Sequence, residues 1–261
     1  MRDRTITLLV ACLVLTTGCS FLAPNPDSYT SHHYYSLGVD LGGNVSDVTI
    51  RLPVPQQDGA ATYNVTTLTG NGTVEGVFDA TVVETDRGPM LELTADEVTV
   101  EPRYYRFVVE GEMGRRERIS ESEYDPSDPD HQQVDRRSVG LRADQQVEYP
   151  IETQAPLGAS PTLYADDAVS RELTACGPTS MESATCFAYD APVYLSYEAG
   201  SDVRVTGVVS VEGSNEWFAG GWTGNSYVDR VRFSATGAQD GWARFEGETE
   251  TGIGSYPAPE P

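Results

Sequence analysis

All three tryptophans of this 261-residue chain fall between Glu216 and Phe245. They stand in Glu216-Trp217-Phe218, Gly220-Gly221-Trp222 and Gly241-Trp242, with Tyr227 among them. Rings flanked by glycine on strands can form a platform for the face of a sugar; they serve equally as core and edge packing. Trp217, Trp222, Trp242 and Tyr227 are therefore the first candidates for stacking a ligand. A second constellation is acidic: Asp125, Asp128 and Asp130, preceded by Glu121 and Glu123. Calcium takes about 6–8 hard oxygens, and flexible loops supply them. The spacing is not that of an EF-hand and the turn lacks glycine. In a chain this acidic the segment reads first as a solvated loop, and only second as a weak metal candidate. No cofactor is expected.

Arginine is also bunched. Eight arginines lie between Arg103 and Arg142, densest at Arg115, Arg116, Arg118, Arg136 and Arg137. Interleaved acids favour an ion-pair network there, with an anion or partner patch as the alternative. The three histidines are His32, His33 and His131. Adjacent residues of a strand point to opposite faces, so His32 and His33 would not grip one metal or substrate. Both are expected to be exposed polar residues where a tether meets the domain.

The chain contains no lysine, which excludes a P-loop, a Schiff-base enzyme, a kinase and a Ser-x-x-Lys acylase. HExxH and GxSxG are absent as well. Its many carboxylates leave a two-carboxylate glycosidase as an open alternative. The reading is a protein without catalysis, serving binding or envelope architecture. Capture of a small ligand, metal or carbohydrate is the first alternative, and a carboxylate-dependent secreted hydrolase the second.

The N-terminus supplies an address. Arg2 and Arg4 precede an apolar run from Ile6 to Leu15, followed by Thr16-Thr17-Gly18-Cys19. That pattern is an export signal, and the run is too short for a bilayer of about 30 Å. Gly18-Cys19 resembles the lipobox of prokaryotic lipoproteins, although Thr16 stands where an aliphatic residue is usual. The resemblance implies removal of residues 1–18 and lipidation of Cys19, which would hold the protein on the extracytoplasmic face of the membrane. Without the leader, 15 arginines face 39 acids, a net charge of −24. Dispersed Asp and Glu with no lysine resemble haloarchaeal secreted proteins. At molar salt the Debye length is about 3 Å, so surface carboxylates repel little. The same charge argues against nucleic acid and leaves a cell-envelope protein or polysaccharide as the partner class.

Exported cysteines pair, and Cys176 with Cys186 is the expected disulfide once Cys12 and Cys19 are set aside. A loop of about ten residues contributes about 2–3 kcal/mol through chain entropy. Three sequons, at Asn44, Asn64 and Asn71, are candidate N-glycosylation sites.

The elements that must position these residues read as strands. Val48, Ile50 and Leu52 share one face, as do Tyr105, Phe107 and Val109, and Val193, Leu195 and Tyr197. Val203, Val205, Val209 and Val211, and then Val231, Phe233 and Ala235, repeat the alternation. Period two with β-branched and aromatic residues means half-buried strands. Turns are expected at Gly42-Gly43, Gly70-Asn71-Gly72, Asp86–Pro89 and Gln239–Gly241, and one short helix over Asp166–Leu173. The expected fold is all-β, a β-sandwich of many short antiparallel strands. Its parts are a tether over 19–31, a domain over 32–256, a long charged loop or hairpin around 112–146 and a disordered tail over 257–261.

The charge makes a prediction. The thermal midpoint should be higher at 2 M than at 0.1 M salt, because screening removes repulsion that weighs most on the compact state. An unchanged or lower midpoint would leave the acidic composition without this explanation.

Overall fold

The computed structural model describes residues 25–110, 113–165, 167–178, 180, 181, 184–256 and 258. The leader, Cys19 and residues 19–24 of the expected tether lie outside the described residues, as does all of the expected tail but 258. In chain order the first elements are β1 (Asn25–Leu41), β2 (Val45–Pro53), β3 (Gln56–Gln57), β4 (Ala60–Ala61), helix α1 (Val65–Thr69), β5 (Thr73–Val74), β6 (Phe78–Thr85) and β7 (Gly88–Val98). There follow β8 (Arg103–Glu110), β9 (Met113–Ile119), a 3-10 turn (Glu121–Glu123), β10 (His131–Val134), β11 (Arg137–Val147) and β12 (Glu172–Thr174). Four long strands close the chain: β13 (Thr185–Ala199), β14 (Arg204–Phe218), β15 (Trp222–Thr236) and β16 (Gln239–Gly254).

The fold is all-β, as the alternation predicts. In place of two packed sheets, eleven strands join one sheet in the order β11-β1-β14-β15-β16-β13-β2-β7-β6-β5, with β12 added to β13. This sheet curls into a barrel-like form. Its ends approach each other where Glu75, just after β5, accepts a hydrogen bond from the Gly140 amide of β11 at 3.2 Å. The curl brings the two edge strands of the order toward each other, with no ladder between them among the described residues. The inward residues form one core: Ile50, Leu52, Val193, Leu195, Val205, Val209 and Val231 are all buried.

Interior tyrosines fit because glycine lies beneath them. Gly213 faces Tyr227 across β14 and β15, and Gly247 faces Tyr189 across β16 and β13. A Cβ on either glycine would come within 2.3 Å of the opposing ring. Each ring therefore lies over the neighbouring strand's glycine and carries its hydroxyl to a buried acceptor, Asp229 for Tyr189 and the Pro161 carbonyl for Tyr227.

Several expectations are corrected. Residues 25–31 are strand and not tether, because Ser31 pairs with both Val147 and Asn215. The helix expected over Asp166–Leu173 does not form; among its described residues 167 and 168 are a turn, and Glu172–Leu173 enter β12. The short helix lies instead at α1. Tyr105, Phe107 and Val109 alternate, but β8 leaves the main sheet and pairs only with β9 and β10. No second layer covers that face, and Phe107 and Val109 are exposed. The region 112–146 contains β9, β10 and most of β11, so the hairpin alternative describes it. The last turn lies at Gly237, with φ of 75°, two residues before the expected glutamine.

The irregular stretch is elsewhere, between β11 and β12. Residues 148–171 form no strand of their own beyond a bridge from Thr162 to Gln56. Yet Ile151, Thr153, Thr162, Leu163, Tyr164 and Val169 are all buried. The segment is a stopper seated against the inside of the barrel. Prolines at 150, 156 and 161 remove backbone donors that such a path could not satisfy.

Candidate functional site

The stopper is held by side chains that point into the barrel. Asp229 of β15 is fully buried, and the Arg171 side chain beside it is only 5 % exposed. The carboxylate receives four donors. Tyr189 Oη gives a hydrogen bond to Oδ1 at 2.7 Å, and Thr249 Oγ1 to the same atom at 3.0 Å. The Leu163 amide reaches Oδ2 at 2.8 Å and Arg171 Nη2 at 3.3 Å. Arg171 also donates to the Tyr164 carbonyl at 3.1 Å and to Thr249 Oγ1 at 3.2 Å, and its guanidinium lies over the Tyr189 ring at 4.9 Å. A buried ion pair is tolerated only when its remaining polar atoms are satisfied, as these are. Burial first, and then the Asp229 charge, push the Tyr189 and Tyr164 hydroxyls well above their ordinary range. Both phenols stay protonated and act as donors.

A second ring of contacts grips the start of the stopper. Asn215 Oδ1 accepts from the Ile151 amide at 2.9 Å and from Ser31 Oγ at 2.9 Å; Asn215 Nδ2 donates to the Ile151 carbonyl at 2.8 Å. Thr153 Oγ1 donates to Asn225 Oδ1 at 2.9 Å. Tyr227 Oη donates to the Pro161 carbonyl at 2.6 Å. Inward polar side chains on β14 and β15 thus replace the ladder partners that an irregular segment lacks.

Outside this network is a cleft of about 550 Å³, between residues 168–170 of the stopper, Glu172 of β12, the β6–β7 turn and the outer face of the β13–β16 ladder. Tyr189 and Phe245 line it, Arg87 and Arg244 bring cations, and Glu172, Asp190 and Glu246 bring carboxylates. Asp190 and Glu246 are directly opposite in the β13–β16 register. The Arg87 guanidinium lies 5.8 Å from the Trp242 ring, and Trp242 meets Tyr194 edge-on at 5.5 Å. Arg51 covers the far side of this row, 4.6 Å from Tyr194, and pairs with Glu92 at 2.7 Å.

The four aromatic candidates do not form one platform. Tyr227 is a buried core residue, and Trp217 is buried against Tyr29 with ring centroids 6.0 Å apart. Their alternation placed them on the inward face of β14 and β15. Trp222 is 69 % exposed and lines a separate cavity of about 340 Å³ with Met181 and Glu212. Trp242 alone stands beside the large cleft. The acidic candidates do not converge either: Asp125 accepts from the Ser127 amide and hydroxyl, and Asp128 from the Asp130 amide. Among the described residues no group of three or more metal-ligating side chains forms. Asn44, Asn64 and Asn71 are all exposed. Asn71 Oδ1 accepts from the Thr73 amide and hydroxyl, at 3.1 and 3.0 Å. Cys176 and Cys186 are joined, with Cα atoms 5.2 Å apart. His32 and His33 do point oppositely, but His33 is buried and not exposed. His32 Nδ1 bonds Asp144 at 2.9 Å. Asp229, Arg171 and Tyr189 gave no motif, because they come from three distant stretches.

Comparison with known families, curated proteins and solved structures returns no match. No helix among the described residues is long and apolar enough to cross a membrane. What fold and site define is a class: an all-β, barrel-like domain stoppered by a hydrogen-bonded segment, with a cleft of mixed charge beside the stopper.

Two predictions follow from the interior. Asp229→Ala removes the shared acceptor of four buried donors, from Tyr189, Thr249, Leu163 and Arg171, and should cost about 3–5 kcal/mol in a denaturant melt. The double variant Asp229→Leu with Arg171→Met should recover only the part due to the guanidinium, because Tyr189, Thr249 and the Leu163 amide still lose their acceptor. A cost for Asp229→Ala below about 1 kcal/mol, typical of an exposed pair, would remove the network from its holding role. The second concerns pH. Burial lowers the His33 pKa from 6.5 to about 4. The folded chain therefore refuses a proton that the unfolded chain accepts, so stability present above pH 6.5 is lost as pH falls toward 4. The clean window is 6.5 to about 5, above most carboxylate titration. Stability should decline there at constant high salt, and His33→Gln should flatten the decline.

Proposed function

We propose that this chain is a lipid-anchored binding protein on the extracytoplasmic face of a halophile's membrane, and that the cleft beside Trp242 takes a saccharide-type ligand. The observation that carries the reading is the coupling of Arg87 to both features. Arg87 lines the cleft and also stacks on Trp242. A sugar offers hydroxyls that donate and accept, together with an apolar C–H face. The cleft offers arginines that donate and carboxylates that accept, and Arg87 joins it to the Trp242 indole just outside its lining, which is the mixture such a ligand needs. The volume of about 550 Å³ suits one or two rings. An anchor at Cys19 and glycans on the exposed Asn44, Asn64 and Asn71 accord with a cell-surface setting.

One observation favours a second reading. Asp190 and Glu246 sit opposite each other in the cleft, and two facing carboxylates are the equipment of a glycosidase. Binding is preferred because both side chains are exposed, whereas a general acid is made by burial that keeps it protonated.

The test begins with Cys19→Ser, which should release the protein into the medium. Retention in the membrane fraction would overturn the anchor. The released protein, at 2 M salt, is then passed over an array of extracellular polysaccharides. Trp242→Ala and Arg87→Gln should each weaken retention about tenfold or more, and Trp222→Ala should not. Retention that is indifferent to Trp242 and Arg87 would sink the cleft as the site. Glycan cleavage abolished by Glu246→Gln would establish the hydrolase instead.

A further inference from the structure

The arginine-rich region does something that a simple ion-pair network would not. Some of its arginines do pair with acids: Arg106 meets Glu117 at 2.8 Å, and Arg136 meets Asp40. But Arg103, Arg118, Arg136 and Arg137 converge on one cavity of about 420 Å³, where the β8–β9–β10 sheet joins the barrel. Glu101 is the one acidic residue in its lining. Among the described residues, Arg136 is the one of these four with a carboxylate partner. Two of the others are braced by backbone. Arg103 Nη2 donates to the Arg136 carbonyl at 2.6 Å, and Arg137 Nη1 to the Thr99 carbonyl at 3.2 Å.

This concentration is unusual for its chain. Acids outnumber arginines 40 to 17 overall, yet here four arginines meet one glutamate in the lining and one aspartate, Asp40, outside it. Four like charges around one cavity repel, and nothing in the fold requires them to meet. A multiply charged anion would reverse that cost. Guanidinium is suited to it, since its planar fork offers paired N–H groups to a tetrahedral oxyanion. Such contacts are short, so they persist in salt that screens longer-range attraction.

We propose that Arg103, Arg118, Arg136 and Arg137 form an oxyanion site for a phosphate or sulfate group, either free or as an ester on an extracellular polymer. Its position points away from the cell. Arg137 pairs with Leu41 at the far end of β1, and Asn25 begins that strand. Seventeen extended residues span about 55 Å. If the anchor is at Cys19, the arginine cavity lies at the opposite end of β1 from the membrane attachment. The site is separate from the Trp242 cleft and its test does not depend on that cleft.

The experiment uses the mature chain carrying Cys19→Ser, with inorganic phosphate as probe in chloride at constant high ionic strength. Titration should move the guanidinium Nε–H resonances of a small set of arginines, and saturate. Arg118→Gln combined with Arg137→Gln should raise the phosphate Kd at least tenfold, while Arg106→Gln, already paired with Glu117, should leave it within twofold. Resonances that do not saturate, or an unchanged Kd in the double variant, would overturn the site; the resonance measurement decides even if the double variant does not fold. Dextran sulfate that displaces phosphate identifies polymer esters as the source. Failure of dextran sulfate to displace bound phosphate identifies the free ion.

Discussion

A carboxylate with no exposure to water must be given everything that water would have supplied, and Asp229 sets that demand at the centre of this protein. It is met by a tyrosine, a threonine, a backbone amide and an arginine drawn from β13, β16 and the stopper. Removing any one leaves the charge less satisfied, in surroundings where an unpaired ion is costly. The stopper is thereby tied to the barrel by a requirement and not merely by contact area. The demand runs in both directions. Arg171 and the Leu163 amide belong to an irregular segment whose backbone groups have no ladder, and the inward polar residues of β14 and β15 supply their partners.

The barrel accommodates this network through its glycines. A tyrosine hydroxyl can reach Asp229 or the Pro161 carbonyl only if its ring crosses the neighbouring strand without a Cβ beneath it. Gly247 and Gly213 provide that clearance under Tyr189 and Tyr227. The result is an interior divided along its length. One end is aliphatic, packed by Leu41, Val205 and Val209, and the other is polar and hydrogen-bonded around Asn215, Asn225 and Asp229. His33 lies toward the polar end, where burial holds it neutral.

The exterior follows a different logic. Acids are spread over the chain, and each departure from acidity is local. Arginines stack on Tyr194 and Trp242 beside the large cleft, and four others converge where the β8–β9–β10 sheet meets the barrel. Backbone carbonyls brace Arg103 and Arg137 in that cluster, and Asp40 pairs with Arg136.

What the sequence determined alone was whatever is encoded locally. Alternation at Val48–Leu52, Val193–Tyr197 and Val231–Ala235 placed those strands, since period two reports a half-buried face. Setting Cys12 and Cys19 aside in a chain read as exported was enough to expect the Cys176–Cys186 bond, and the missing lysines with dispersed acids set the charge. The same alternation misled at Tyr105–Val109, because it cannot say whether a second layer will cover the apolar side. No local pattern marked residues 148–171 as an irregular segment that is buried. Only the tertiary structure decided that one sheet curls in place of two that pack, that Trp217 and Tyr227 turn inward while Trp242 stays beside the cleft, and that Asp229 meets Arg171. The physical reason is that these outcomes depend on which strands become neighbours. Pairing residues 58 apart for one ion pair, or 184 apart for Ser31 and Asn215, is settled by closure of the whole sheet and leaves no trace in any local pattern.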